Sequence, residues 1–201
     1  AMNAYGEILG SITESTLGEE MLAAVWRPTP VGYVTELFPE STGSSVVGAG
    51  INDAGHITVQ YNAGSFDRSA VINRRTGEVE VLVNSGQISD AEGVNNAGNI
   101  VYVFDDEFAL RTTVSGIGEI IGFGCEGGGC TSNNSTVVEG FSINTRGHVV
   151  GHSNTVSDID DDITDNTNSA FVWSQETGTL RLIDLVVEGD TAGWEFDRAV
   201  D

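Results

Sequence analysis

The sequence predicts an all-β fold, and three observations lead to this prediction. A short phrase, an apolar residue followed by Asn, two further residues and Gly, occurs four times at steps of 49, 43 and 49 residues. Each copy is followed by segments in which apolar and polar residues alternate, as they do in half-buried strands. No segment has a convincing helical periodicity. Because a fixed repeat of this length is typical of propellers and arrays, we predict a four-bladed β-propeller of four-stranded meander repeats.

Each copy of the phrase predicts a tight hairpin. The Asn side chain can hydrogen-bond the backbone two residues on, and Gly at the fourth position accepts a positive φ without steric cost. The copies lie at residues 2–6, 51–55, 94–98 and 143–147. They divide a single domain, residues 1–201, into units at about 3–51, 52–94, 95–143 and 144–201.

Three strands are predicted after the turn of every hairpin. The second strand of the unit is expected at residues 7–10, 56–59, 99–102 and 148–151. The third begins with Ala and is expected at residues 23–26, 70–73, 109–112 and 170–173. The fourth is expected at residues 33–37, 78–82, 119–121 and 180–185. Together with the strand that leads into the hairpin, each unit therefore has four short strands in a meander.

The two ends of the chain predict that the ring closes. The chain begins inside the first hairpin, and residues 194–201 read as the first strand that this unit lacks. A C-terminal strand that completes the first blade leaves only short, protected edges. The alternative is a section of a longer array in a larger parent polypeptide. Such arrays usually need caps, and the sequence has no evident capping helix.

Unit four carries the repeat in its fullest form. Its hairpin is Ile143-Asn144-Thr145-Arg146-Gly147, its third strand is Ala170-Phe171-Val172-Trp173, and Asp184-Leu185 follows. These residues resemble the HAF-type extracellular repeat family, although unit three has Ala109-Leu110-Arg111 in place of the Trp strand. The resemblance covers nearly the whole chain. It implies a secreted or surface β-repeat domain and implies no catalytic residues.

The charge of the chain excludes several classes of partner. It has 30 acidic and 8 basic residues, a net charge of −22, and all of the basic residues are Arg. Such a field repels phosphate backbones and anionic lipid headgroups. It suits a salty environment, and simple solubility is the alternative interpretation. No apolar run approaches the ~20 residues of a membrane span. We therefore expect neither nucleic-acid binding nor membrane insertion.

The two cysteines, Cys125 and Cys130, enclose a Gly-rich loop. A CxxxxC pair is a weak zinc candidate when no other Cys or nearby His accompanies it. A small disulfide loop is the preferred interpretation, since three glycines let the chain close it. A disulfide indicates an oxidising compartment, so we expect the protein to be extracellular or at the cell surface, with the periplasm as a further option.

The long connections between strands are predicted to lie on one face of the ring. In a meander, the turns between strands one and two and between strands three and four share a face, and both are short here. The insertions fall in the other connections, on the opposite face. Long connections on a rigid scaffold are where binding and catalysis usually occur. We therefore predict that this long-loop face is the working face.

A run of aspartates on that face is the candidate metal site. Carboxylates at alternate positions begin like an EF-hand loop, but Ile163 stands where Gly is required and Ser169 where Glu is required. A looser calcium site remains, and its proposed ligands are Asp158, Asp160, Asp162 and Asp165. The alternative is a solvated acidic insertion without an ion. Mutual repulsion of the carboxylates favours Ca²⁺ as the cofactor.

The remaining candidates for chemistry are weaker. Paired carboxylates can act as general acid and base in glycoside cleavage, and the residues considered for this role are Asp105, Asp106, Glu107 and Glu126. Carboxylates are so abundant that chance pairing explains them equally well. His148 and His152 share one side of a strand and could bind a transition metal, or could be polar strand positions. Trp194 is a candidate for stacking on a sugar ring.

The sequence therefore predicts a secreted or cell-surface binding or adhesion module, stabilised by calcium, with a glycan or protein ligand on the long-loop face. A polysaccharide-acting hydrolase or lyase that uses acidic residues of the same face is the alternative. A purely structural repeat of a larger surface protein is the second alternative. Substitution of Asp105, Glu107 and Glu126 separates the first two, because only an enzyme would lose turnover.

Overall fold

The structure is a computed structural model, which describes residues 1–14, 20–38, 45–62, 67–82, 89–104, 107–112, 119–120, 137–156 and 166–185. These residues form fifteen strands and one short helix, so the prediction of an all-β fold is confirmed. In chain order the elements are β1 (Ile8–Glu14), β2 (Glu20–Thr29), β3 (Gly32–Phe38), β4 (Val46–Ile51), β5 (His56–Asn62), β6 (Asp67–Asn73), β7 (Glu78–Val81), β8 (Ser89–Val94), β9 (Asn99–Phe104), β10 (Glu107–Thr112), β11 (Glu119–Ile120), β12 (Val137–Ile143), β13 (Val149–Val156), β14 (Asn166–Ser174), β15 (Gly178–Arg181) and α1 (Leu182–Leu185).

The strands form four antiparallel meanders. Sheet I contains β1–β3, sheet II β4–β7, sheet III β8–β11 and sheet IV β12–β15, and neighbours along the chain are neighbours in each sheet. In sheet I, Met2 forms a bridge with Ile8, so the residue before the first hairpin turn also pairs with β1. Sheets II, III and IV each begin with the strand that leads into an Asn-x-x-Gly turn. The predicted four-stranded meander is thus present three times in full.

Hydrophobic cores lie between consecutive sheets. Both faces of sheet III are covered, because alternate residues of a strand point to opposite sides of the sheet. Accordingly, Ile100 of β9 is buried with Val71 of sheet II, whereas Val101 is buried with Phe171 of sheet IV. Sheets I and II share a third core. Its members from these two sheets include Leu9, Val25, Ile57, Val59 and Ile72.

The first strands of sheets II and III approach each other closely. A Cβ atom added to Gly50 would lie 2.8 Å from Oγ1 of Thr58 and 2.9 Å from Cα of Gly93. Gly50 therefore lets two backbones pack where no other residue fits. A β-bulge, which bends a strand and increases its twist, interrupts the pairing of β4, β8 and β12 three residues before each Asn of the phrase.

The Asn of each phrase holds its own hairpin together. The backbone N–H of His56 donates to Oδ1 of Asn52 over 2.9 Å, and the N–H of Asn52 donates to the carbonyl of His56 over 3.1 Å. The N–H of Gly55, which has a φ of 89°, donates to the carbonyl of Asn52. Equivalent bonds surround the other three Asn residues, Asn3, Asn95 and Asn144. The predicted hairpin geometry is confirmed.

The side-chain amides of the same residues join the hairpins to one another in what we call the asparagine ladder. Nδ2 of Asn3 donates to the carbonyl of Asn52 over 3.3 Å. Nδ2 of Asn52 donates to the carbonyl of Asn95 over 2.9 Å, and Nδ2 of Asn95 donates to the carbonyl of Asn144 over 2.8 Å. Asn3, Asn52 and Asn95 are buried, whereas Asn144 is exposed. The ladder therefore runs in one direction across all four sheets.

The end of the fourth unit differs from the prediction. The sequence predicts a strand over residues 180–185, but β15 ends at Arg181 and Leu182–Leu185 form a single helical turn, α1. The pairing of β15 with β14 stops at Phe171. β14 continues beyond this pair to Asn166, but residues 182–185 do not pair with it and form a helical turn instead, for which leucine has a strong intrinsic preference. The predicted closing strand at 194–201 lies outside the described residues.

Candidate functional site

The short turns lie at one end of the sheets, which we call the turn rim. His56 follows the hairpin turn of sheet II and pairs with Asn73, which precedes the turn between β6 and β7. In sheet I, Ile8 pairs with Trp26 at the same end, and the turn between β2 and β3 follows. The prediction that these two kinds of turn share a face is confirmed. The long connections leave from the other end of the sheets.

A cleft of about 390 Å³ opens on the turn rim between sheets I and II. We call it the rim cleft. Charged side chains of both signs line it, together with Tyr5 and Gly55. The charged residues are Glu7, Arg27, Glu36, Asp53, Arg74 and Arg75. Its volume lies within the usual range of ligand pockets, and it contains three of the eight Arg residues of the chain.

Arg74 is the centre of the cleft and links the two sheets. Its Nη1 donates to Oε2 of Glu7 over 2.9 Å, and its Nη2 donates to Oε1 of Glu7 over 3.2 Å and to Oε2 of Glu36 over 2.8 Å. The Arg74 side chain is only 10% exposed and that of Glu7 only 13%. The backbone N–H of Arg74 donates to the carbonyl of Gly55 over 2.9 Å. This fork is the strong, bidentate form of an Arg–carboxylate pair.

The ion pair shifts the pKa of both partners. The hydrogen bond from Arg74 lowers the pKa of Glu7, burial opposes it, and a further hydrogen bond from Asn3 and the charges of Arg74 and Arg27 add to the lowering. Burial acts to lower the pKa of Arg74, but its bonds to Glu7 and Glu36 outweigh burial and raise it. Both groups are therefore charged over the whole neutral range.

Asp53 is fixed at the side of the cleft by the neighbouring hairpins. Its Oδ1 accepts from the backbone N–H of Ala4 over 2.8 Å, and its Oδ2 accepts from Nδ2 of Asn96 over 2.5 Å. The backbone N–H of Asp53 in turn donates to Oδ1 of Asn96 over 2.8 Å. These bonds tie the hairpins of three successive units together beside the asparagine ladder.

The two remaining guanidinium groups are exposed. Arg75 donates from Nη2 to the carbonyl of Ala54 over 3.3 Å, and its backbone N–H is held by Oδ1 of Asn73. The side chain of Arg27 has no hydrogen-bonded partner in the part of the chain that the structure describes, although its backbone pairs with Val34. Tyr5, beside them, is 68% exposed. The cleft thus combines a rigid floor at Arg74 with accessible donors and an aromatic ring.

The comparisons with known proteins are negative. No family model, curated protein or solved structure matches the chain. The resemblance to the HAF-type repeat family therefore stays a prediction. The function has to be argued from the rim cleft itself.

Most of the site residues predicted from the sequence lie outside the described residues. This holds for the carboxylates Asp105, Asp106 and Glu126, the aspartates Asp158, Asp160, Asp162 and Asp165, the cysteines Cys125 and Cys130, and Trp194. Glu107 is the first residue of β10, where its backbone pairs with Phe104. The calcium site, the disulfide and the long-loop working face therefore remain predictions.

The described residues also bear on two other predictions. No three of their His, Cys, Asp and Glu side chains are grouped in a way that would hold a metal. His148 precedes β13 and its N–H donates to Asn144, while His152 lies within β13 and pairs with Glu139 and Ala170. None of the described helices is both long enough and apolar enough to cross a membrane.

No sequence motif predicts the rim cleft. Glu7 and Arg74 are separated by 67 positions, and Arg74 and Glu36 by 38. The only local signal is the dipeptide Arg74-Arg75 in a turn, which stands out because basic residues are so few. The scarcity of basic residues, and not the density of acidic ones, is the feature of the sequence that indicates this cleft.

Proposed function

We propose that the protein is a secreted or cell-surface glycan-binding module and that the rim cleft is a binding site. The observation that carries this proposal is the combination of an exposed Tyr5 with guanidinium groups on a floor fixed by Arg74. Ligand sites usually combine a concave surface with a few precisely held polar groups. Preorganised side chains reduce the entropy lost on binding. The proposed role of the cleft is binding without catalysis.

A glycan array tests this function. The labelled protein is expected to retain a restricted set of glycans, and Tyr5→Ala together with Arg27→Ala is expected to lower that retention at least tenfold. Arg146→Ala is the matched control, because Arg146 is an exposed Arg on the hairpin of another unit. Mass spectrometry of the bound glycans is expected to show no cleavage. Retention of no glycan, or retention unaffected by the cleft variants, would refute the proposal.

We further propose that the four sheets close into a four-bladed propeller. Three interfaces between consecutive sheets repeat the same positions, and Ile57 and Ile100, which face the preceding sheet, are 0% exposed. Ile8 holds the equivalent position in sheet I and is 37% exposed. Leu37 is 42% exposed. A closing interface with sheet IV, completed by a strand from residues 194–201, would bury this apolar surface.

Removal of residues 194–201 tests closure. In a ring, the shortened chain loses one strand of the first blade, so its melting temperature is expected to fall on the order of 10 °C or more. Thermal unfolding followed by circular dichroism measures this. An unchanged melting temperature would show that the segment is not part of the blade and would favour an open array.

Calcium stabilisation remains part of the proposal. The aspartates at 158, 160, 162 and 165 are expected to bind Ca²⁺, and a ligand at 100 times its Kd stabilises by about 2.7 kcal/mol. For a domain of this size the melting temperature is expected to rise on the order of 5–10 °C in millimolar Ca²⁺ relative to EDTA. Asp160→Ala with Asp162→Ala should abolish the rise. Equal shifts with Mg²⁺ at matched ionic strength would contradict a specific site.

A further inference from the structure

We propose that the glycan bound by the rim cleft is acidic and that Arg27 and Arg75 bind the carboxylate of a uronic-acid-type sugar. This inference rests on the proposed glycan-binding function. It goes beyond that function because it assigns the class of ligand and the residues that select it.

The carboxylates of the cleft are engaged by the protein itself. Glu7 receives two hydrogen bonds from Arg74 and one from Asn3. Glu36 receives one from Arg74, and both oxygens of Asp53 are bonded to neighbouring hairpins. The charge of Arg74 is in turn used by its two partners. The charged groups of the cleft that still have unused hydrogen-bond donors are therefore cations, although the chain as a whole is strongly anionic.

Arg27 and Arg75 supply these donors. Each guanidinium has five N–H groups in a planar fork, and among the described contacts Arg75 uses one of its side-chain N–H groups and Arg27 uses none. Both side chains are exposed and line the same cleft. A planar fork matches the two oxygens of a carboxylate, and charge-assisted bonds of this kind are about twice as strong as neutral ones.

The half-exposed carboxylate of Glu36 indicates which anion fits. Its side chain is 35% exposed and lies in the cleft with the free guanidinium groups. Glu36 repels any anion, and a phosphate or sulfate brings few donors that could bond to it in compensation. A uronic acid brings one carboxylate for the Arg side chains and several hydroxyls that can donate to Glu36. The combination of cation and acceptor therefore favours an acidic sugar over an inorganic or nucleic-acid anion.

Tyr5 completes the site. It is exposed, lines the cleft, and offers a rigid amphipathic ring at a small cost in conformational entropy. Its N–H is fixed by Oδ1 of Asn3, over 3.1 Å, at the start of the asparagine ladder. A sugar ring placed against Tyr5 would hold its carboxylate towards the guanidinium groups. Tyr5 is thus assigned to ring contact and the two Arg side chains to charge recognition.

The test is isothermal titration calorimetry with a panel of uronate tetrasaccharides (galacturonate, glucuronate, mannuronate and guluronate) and the same tetrasaccharides methyl-esterified at every carboxyl. EDTA is present throughout, so that calcium cannot bridge the sugar to the acidic surface. At least one acid form is expected to bind, and its ester at least tenfold more weakly. Arg27→Ala and Arg75→Ala should each weaken the acid form at least tenfold, with little effect on the ester.

Arg146→Ala serves as the matched control and is expected to bind as the unaltered protein does. Tyr5→Ala is expected to weaken acid and ester alike, which separates ring contact from charge recognition. Equal affinity for acid and ester, or no binding of any acid form, would overturn this inference. In either case a positive glycan array would leave the proposed glycan-binding function standing, whereas an array without retained glycans would remove both.

Discussion

Replacing Asn52 by alanine is expected to lower the free energy of unfolding by about 2–4 kcal/mol. The Asn52 side chain is buried and makes bonds in two directions, to the carbonyl of Asn95 and from the N–H of His56. Alanine removes these two bonds and the 3.3 Å bond between Nδ2 of Asn52 and Nδ1 of His56, and it leaves the His56 N–H without its acceptor. For a domain of this size, the melting temperature should fall on the order of 5–12 °C. Urea denaturation measures the free energy directly.

Two variants separate the ladder from the hairpin. Asn144→Ala, at the exposed end of the ladder, is expected to cost about 1 kcal/mol or less, because its lost partners can bond to water. Asn52→Asp keeps the acceptor for His56 but places a carboxylate oxygen against the carbonyl of Asn95. It should therefore destabilise as strongly as alanine does at neutral pH. If Asn52→Ala and Asn144→Ala cost the same, the ladder does not stabilise the stacking of the sheets.

Replacing Arg74 by methionine is expected to destabilise the protein by about 3 kcal/mol. Methionine retains much of the aliphatic volume, but Glu7, only 13% exposed, then loses its bidentate partner and keeps only the weaker influence of the Arg27 charge. Glu36 is better hydrated and contributes less to the loss. Urea denaturation of Arg74→Met is compared with that of Arg146→Met, for which a change within about 0.5 kcal/mol is expected.

The coupling of Arg74 to Glu7 provides a second readout. The double variant Arg74→Met with Glu7→Gln is expected to lose less stability than the sum of the two single variants, because the buried charge is removed together with its partner. Additive losses would show that the two side chains stabilise the cleft independently.

The same pair predicts a pH dependence with a definite sign. The pKa of Glu7 is lowered in the folded protein from its ordinary value of 4.5, chiefly by the hydrogen bond from Arg74. The contribution of a lowered carboxyl pKa is complete above the ordinary value and is lost as the pH falls through the folded value. The stability difference between the unaltered protein and Glu7→Gln should therefore shrink as the pH falls below 4.5. Urea denaturation of both proteins over a series of pH values measures this, and a difference that does not change with pH would contradict it.

The hairpins are predictable from the sequence because their chemistry is local. Asn52 and Gly55 determine a turn through bonds that span four residues or fewer, and the alternation after the turn determines the strand. The meander order follows from the same pattern. The helical turn at Leu182–Leu185 does not follow from the alternation of apolar and polar residues, because the pairing with β14 ends at Phe171 although β14 itself continues to Asn166.

The ladder and the rim cleft are not predictable in this way. The amide of Asn52 reaches Asn95 only because sheets II and III stack with their hairpins in register. Arg74 meets Glu7 for the same reason, across sheets I and II. Such contacts depend on how units pack and not on any motif within one unit. The density of charge along the sequence therefore indicates the aspartate run and does not indicate Arg74.

The direction of the asparagine ladder has a consequence for how such a chain can grow. Each junction consists of an amide supplied by one hairpin and a main-chain carbonyl supplied by the next, so each of the two inner units carries one half of two junctions. A duplicated unit already has the amide and the carbonyl that bond to its two neighbours, whatever its other side chains are. Divergence within a unit, such as Ala109-Leu110-Arg111 in place of the Trp strand, then leaves the seams intact. New binding surfaces can therefore evolve on single units while the bonds of the asparagine ladder continue to join consecutive units.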